Sequence, residues 1–130
     1  TKEEYESIRN TIEELKSHSE LVTRADQKAV LPTKKVIILV NRETSSAAEE
    51  VAAAFQANKR AIIMGEPTYG KSSIANYFEL KDGSALHLTT GHWLTPLRES
   101  VHEKGIIPDV IVPNTEGAED LVLDYAIKSL

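Results

Sequence analysis

Near the start of the chain apolar positions recur at three- and four-residue intervals. Tyr5, Ile8, Ile12 and Leu15 fall in register within KEEYESIRNTIEELKSH, with charged residues between them. That period predicts an amphipathic helix over residues 2–18. Residues 19–35 are polar and irregular and end in Pro32 and two lysines, so they read as a connection with room for one short strand. VIILV, residues 36–40, is an unbroken apolar, mostly β-branched run of the kind found in strands covered on both faces. SSAAEEVAAAFQAN, residues 45–58, is rich in strong helix formers and opens on two hydroxyl residues suited to an N-cap. AIIMG, residues 61–65, is a second buried strand. Strand, helix and strand within about 30 residues make a βαβ unit whose strands are parallel neighbours. The pattern then changes. Residues 72–80, SSIANYFEL, alternate with Ile74, Phe78 and Leu80 on one face, KDGS at 81–84 turns the chain, and ALHLTT alternates again at Leu86 and Leu88, which predicts a β-hairpin. The expected fold is α/β, a mixed βαβ core plus a β-hairpin, with the core drawn from VIILV, AIIM, the hairpin and the long helix.

Composition narrows the function classes. The chain has 130 residues, enough for one ordinary core. With 15 basic and 20 acidic residues it carries a formal charge of −5, so no global basic field recommends nucleic acid or an anionic membrane as partner. The absence of cysteine excludes disulfides, iron–sulfur clusters and thiolate zinc sites. His18, His87, His92 and His102 are scattered without metal-ligand spacing, so neither a metal nor another cofactor is expected. No apolar run approaches the roughly 20 residues that cross a bilayer. A chain opening on Thr1 is expected to be a processed or trimmed piece, with any membrane anchor upstream of it.

One stretch carries a motif. GEPTYGKSS, Gly65 to Ser73, fits the phosphate-binding pattern GxxxxGK followed by Ser or Thr, and it directly follows an apolar run. That pattern binds phosphate only when the glycine loop opens a helix whose amides and dipole face the anion. The alternation after Lys71 predicts a strand there, so a nucleotide-binding P-loop is the weakest of three readings.

Four segments in register point elsewhere. Asn41 to Glu49 meets the pattern NxGSASASE, Gly65 to Ala75 meets GxxxxGKxxVQ, Asp82 to Thr90 meets DGSALxLTT, and Thr95 to Asp109 meets TPxGRSIxxKGIxPD. In this order they resemble the catalytic core of the C-terminal processing peptidases, the tail-specific proteases, from about Val36 to the C-terminus. The closing AEDLVLDYAIKSL is similar to that family's terminal helix. The resemblance implies a ClpP/crotonase-like fold and a serine endopeptidase that cleaves unstructured polypeptide in an extracytoplasmic compartment. By position it puts the nucleophile on Ser46, with Ser45 as fallback, the general base on Lys71, 25 positions later, and an oxyanion-binding amide on Ala47. It also implies that a PDZ domain and an upstream oxyanion strand lie before Thr1, so that residues 1–130 are a partial catalytic domain. The oligomeric state is left open.

The chemistry asks for such a pair. A serine hydroxyl is a weak nucleophile until a base takes its proton, and a lysine serves as that base only when its amine is neutral, which burial favours. The apolar strands flanking Lys71 are expected to supply that burial. Taken singly, Ser45 and Ser46 read as N-caps and Lys71 as a surface lysine. Two positions depart from the family pattern: Glu43 stands where it has glycine, and Ala75 where it has the glutamine that orients the lysine. They favour the alternative of a non-catalytic relative that binds extended peptides.

Overall fold

The structure, a computed structural model, describes residues 1–17, 33–113 and 120–130. The possible strand within 19–35 and His18 fall largely or wholly outside them. The chain divides into two units, one of residues 31–72 and 93–130, the other of residues 1–30 and 73–92.

The first unit is built on a parallel sheet. Strand β1, Ile37–Val40, leads into helix α2, Ala47–Ala57, and returns as β2, Ile62–Gly65, pairing in parallel from Ile37 with Ile62 to Val40 with Gly65. This is the predicted βαβ unit. A third strand, β5, Val110–Ile111, adds in parallel to the far side of β2, giving the order β1-β2-β5. The closing helix α3 runs Leu121–Ser129. Side chains of one strand point alternately to opposite faces, so the sheet is covered on both. Val40 and Ile63 meet Ala52 of α2 on one face, with Ile38 against them. Met64 meets Val122 and Ala126 of α3 on the other, with Ile37, Val110 and Val112 around it. Ile63 and Met64 are completely buried, each contributing about 1.5–3 kcal/mol of transfer free energy. A third cluster sets Ala53 of α2 against Val101, Ile106 and Trp93. Asp109 ties the layers, accepting from the Ile63 amide at 2.8 Å and from the Gln56 side chain at 3.0 Å.

The second unit joins helix α1, Lys2–Ser17, to an antiparallel hairpin of β3, Ser73–Glu79, and β4, Ala85–His92. The ladder runs from Ser73 opposite His92 to Glu79 opposite Ala85, with a bulge between Ile74 and Ala75. The Asp82 carboxylate accepts from the Ser84 amide and hydroxyl and so forms the turn that KDGS predicts. Helix α1 packs against β4, and its first turn reaches the hairpin through Glu4, which accepts from the Lys81 amide at 2.9 Å. Ile8 and Ile12 are half-buried as their spacing predicts, but Tyr5 is exposed.

The expected core therefore needs correcting. The hairpin forms a sheet of its own and supplies none of the described buried apolar residues, and the third strand of the parallel sheet is β5. Among the described residues no helix is long and apolar enough to cross a membrane.

Candidate active site

Two turns at the carboxyl ends of β1 and β2 bring the candidate residues together. The first leaves β1 through an Asn41 turn: its side-chain oxygen accepts from the amides of Glu43 at 3.0 Å and Thr44 at 3.1 Å. It delivers Ser46 to the N-cap of α2. An N-cap residue ordinarily has extended, β-region dihedrals. Ser46 has φ 57° and ψ −124°, a conformation that side chains rarely adopt and that costs on the order of 1–3 kcal/mol. Simple capping does not account for that. A strained strand-to-helix turn centred on a serine is also the backbone arrangement of a nucleophile elbow. Ser45 lies one residue earlier on the same turn and has no such strain. The Ala47 amide, first of the helix, has no hydrogen-bond partner among the described residues, and it stands at the positive end of the helix dipole.

The second turn runs from Gly65 to Ser72, and two sets of hydrogen bonds fasten it to the first. The Tyr69 amide donates to the Thr44 carbonyl at 2.9 Å. More telling is Glu49, a residue of α2 with no exposed surface at all. One of its oxygens, Oε1, accepts from the Thr68 hydroxyl at 2.5 Å and the Gly70 amide at 2.7 Å. The other, Oε2, accepts from the Lys71 amide at 2.8 Å and the Ser46 amide at 2.9 Å. Sharing one oxygen holds the Ser46 and Lys71 backbone nitrogens no more than about 6 Å apart. Burial by itself would raise the Glu49 pKa. The hydrogen bonds from Thr68 and from the Lys71, Gly70 and Ser46 amides outweigh it and hold the carboxyl below the usual carboxylate range.

Lys71 differs from expectation in one respect. Its backbone is fixed, but its side chain is exposed, and the flanking strands do not bury it. The burial is local: Thr68, Gly70 and Ser72 of this turn are buried, and Lys71, between the last two, is exposed. A strand, not a helix, follows Lys71, so the anion site of a P-loop is not formed. Glu43 is exposed on the Asn41 turn, and Ala75 lies in β3 of the other unit. His87 and His92 lie on β4 and His102 in a turn; among the described residues no three His, Asp or Glu side chains are placed to hold a metal ion. A depression of about 180 Å³ lined by Asn41 and Thr44 adjoins the Ser46 turn. A larger cleft of about 330 Å³, lined by Lys35, Lys59 and Asp109, lies at the opposite ends of the strands.

Glu49 was missed as a functional residue. The signal was present, since Ser46 and Glu49 stand at the S-x-x-E spacing of a capping box, whose glutamate reaches back to the N-cap amide. Sequence spacing does not disclose the three further donors, which arrive from a turn some twenty residues away.

The α/β fold places a strained serine and a lysine on adjoining turns, and comparison with known proteins identifies the family. Residues 2–112 match the model of peptidase family S41, and the chain belongs to that family. It is 41% identical to carboxyl-terminal-processing peptidase 2, chloroplastic, of Arabidopsis thaliana over 87 residues, 67% of this chain and 17% of that protein. It is 40% identical to the carboxy-terminal processing protease CtpA of Bacillus subtilis over 97 residues, 75% of this chain and 21% of that protein. Among solved structures, the photosystem II D1 C-terminal processing protease superposes with a TM-score of 0.62 at 33% identity, covering 70% of this chain and 24% of that one. The tricorn protease, at 17% identity and a TM-score of 0.61 over 93% of this chain and 13% of its own, shares the fold. The chain spans about a fifth of the length of the curated relatives it matches.

Proposed function

We propose that the protein carrying this chain is a serine endopeptidase of the C-terminal processing type, in which Ser46 is the nucleophile and Lys71 the general base. The observation that carries this reading is the shared Glu49 oxygen, which holds the amides of a strained serine and a lysine side by side. In the reaction the neutral Lys71 amine takes the Ser46 hydroxyl proton as the oxygen attacks a peptide carbonyl, and the Ala47 amide donates to the oxyanion that forms. The ammonium then returns the proton to the leaving amine, and water releases the acyl group by the same steps in reverse. A lysine base acts as the neutral amine, a form that dry surroundings favour. In this reading a polypeptide laid across the turn helps to exclude water from Lys71.

Residues 1–130 are read as part of the catalytic domain, supported by the fraction of the relatives' length that they match. Unstructured polypeptide is the proposed substrate and an extracytoplasmic compartment the proposed location, both on the family likeness. The second reading, a peptide-binding relative without turnover, is favoured by the exposure of Lys71 and by Ala75. Casein digestion by the full-length protein at pH 7 to 9, followed on a gel, separates the two. Cleavage should occur and be abolished by Ser46→Ala, Lys71→Ala and Lys71→Arg, since a guanidinium does not deprotonate near neutral pH. Robust cleavage by Lys71→Arg rules out the lysine as base, and no cleavage by the unaltered full-length protein favours the binding relative.

A further inference from the structure

Lys71 is unusual in that only its side chain is at liberty. Its amide donates to Glu49 Oε2 at 2.8 Å, and its carbonyl accepts from the Trp93 indole N–H at 3.3 Å. The Trp93 amide donates in turn to the next carbonyl, that of Ser72, at 3.0 Å, and Ser72 is completely buried. Trp93 therefore grips two successive carbonyls from one side while Glu49 holds the amides of Gly70 and Lys71 from the other. Both grips are anchored in packed surroundings. Glu49 lies on α2 with no exposed surface, and Trp93 is packed against Ala53, Val101 and Ile106.

Resting on the peptidase reading, we propose that Glu49 and Trp93 are positioning residues for the base: together they clamp the Lys71 backbone, and Glu49 ties it to the Ser46 turn, so that the amine is aimed by its main chain. The chemistry of the clamp is specific. All four partners of Glu49 are donors, two on each oxygen, and only a carboxylate accepts from all four. A glutamine turns an NH2 toward one of the two pairs. Either the Ser46 and Lys71 amides both face a donor, or the Gly70 amide does while the Thr68 hydroxyl turns to accept; in each case a main-chain amide of the Lys71 turn loses its acceptor. Trp93→Phe is milder, because it keeps an aromatic ring against Ala53, Val101 and Ile106 while removing the indole N–H and part of the packed ring system.

The test uses the full-length protein and an unstructured polypeptide substrate, with steady-state kinetics and amide hydrogen exchange read on the same variants. Glu49→Gln should lower kcat by about a hundredfold, the size of effect that a misplacement near 1 Å produces. Trp93→Phe should lower it by about threefold to tenfold, as expected for one neutral hydrogen bond. KM should change by no more than about twofold in either, since a residue that only aims the base does not bind substrate. The double variant should be no slower than Glu49→Gln alone, because the lysine has already been released. Exchange at the Lys71 or the Gly70 amide should accelerate in Glu49→Gln, and both should stay slow in Ser46→Ala, which leaves the clamp intact. Turnover surviving in Ser46→Ala overturns the peptidase reading and the proposal with it. Turnover lost in Ser46→Ala but kept at the wild-type kcat in folded Glu49→Gln, or in Trp93→Phe where Glu49→Gln fails to fold, overturns the proposal alone.

Discussion

Two glycines with similar backbone conformations mark the difference between the two units. Gly105, at φ 70°, lies in the unit that carries Ser46 and Lys71, and a Cβ placed on it would stand 2.1 Å from the Thr68 carbonyl oxygen and 2.9 Å from its hydroxyl. Gly83, at φ 85°, lies in the hairpin turn, and a Cβ there would meet nothing within 4 Å. The first is needed for both conformation and room, the second for conformation alone. The same contrast runs through each unit. Around the candidate site, turns are packed backbone to backbone and joined through one buried carboxylate, whereas the hairpin is held by its ladder and leaves Tyr77 73% exposed. The lesson is that Ser46 and Lys71 depend on distant residues for their placement, while the hairpin is specified almost entirely by its own sequence.

Replacing each glycine by alanine is the sharpest test of that contrast. Gly83→Ala should cost about 1 kcal/mol, the penalty of a left-handed conformation for a residue with a Cβ. Gly105→Ala adds a clash with backbone that has no flexible end to move, and about 2–4 kcal/mol is expected. Thr68 is the strut it would displace. Its hydroxyl donates to Glu49 and accepts from the Ile106 amide at 2.7 Å, so the variant should also loosen the Ser46 and Lys71 turns. Urea unfolding of both variants measures the difference, and equal losses would remove the distinction drawn here.

Acid provides the next largest test, and its sign follows from Glu49. A carboxyl held below its usual range in the folded state contributes stability that is fully present above the unfolded value, near 4.5, and is lost as pH falls through the folded value. Glu49→Gln has no such dependence. The stability gap between the wild type and Glu49→Gln should therefore be widest near neutral pH and narrow as pH drops below about 4.5. Other acids also sit low, among them Asp82, through its hydrogen bonds from Ser84. They are common to both proteins, so the difference isolates Glu49. A gap that stays constant down to pH 3 would mean that the carboxylate charge contributes nothing to holding the two turns.

The sequence discloses the parts of this molecule that depend on periodicity or on local turn chemistry. Both strands of the βαβ unit, α2, the hairpin and its Asp82 turn lie where alternation and propensity put them, within a residue or two. Strand β5 was not legible because two residues between Pro108 and Pro113 carry no period; the sheet that recruits them is what makes them a strand. The candidate site divides in the same way. Ser46 and Lys71 are found by motif order and spacing, yet the strained dihedrals of Ser46, the convergence of four donors on Glu49 and the reach of Trp93 to the Lys71 carbonyl arise only when separate segments pack. The expectation that Lys71 is buried failed for a related reason. Flanking apolar residues predict that a segment packs, but not which of its side chains points out.

The smallest expected effect is at the hairpin surface, and it tests the other half of the comparison. Tyr77 and His87 are direct cross-strand partners, and their rings stack with centroids 4.3 Å apart and planes 14° from parallel. A cross-strand pair of this kind contributes roughly 0.2–1 kcal/mol relative to alanine. Tyr77 is mostly solvent-exposed, so little burial is added to that, and Tyr77→Ala should lower stability by about 0.5 kcal/mol. Because the stack belongs to a ladder that is complete without it, His87→Ala should cost about the same, and the double variant no more than either alone. Peptidase turnover in the full-length protein should be unchanged. Urea unfolding of the three variants alongside Gly105→Ala sets the scale, and a Tyr77→Ala loss as large as that of Gly105→Ala would show that the hairpin is not held chiefly by its own ladder and that the contrast between the units fails.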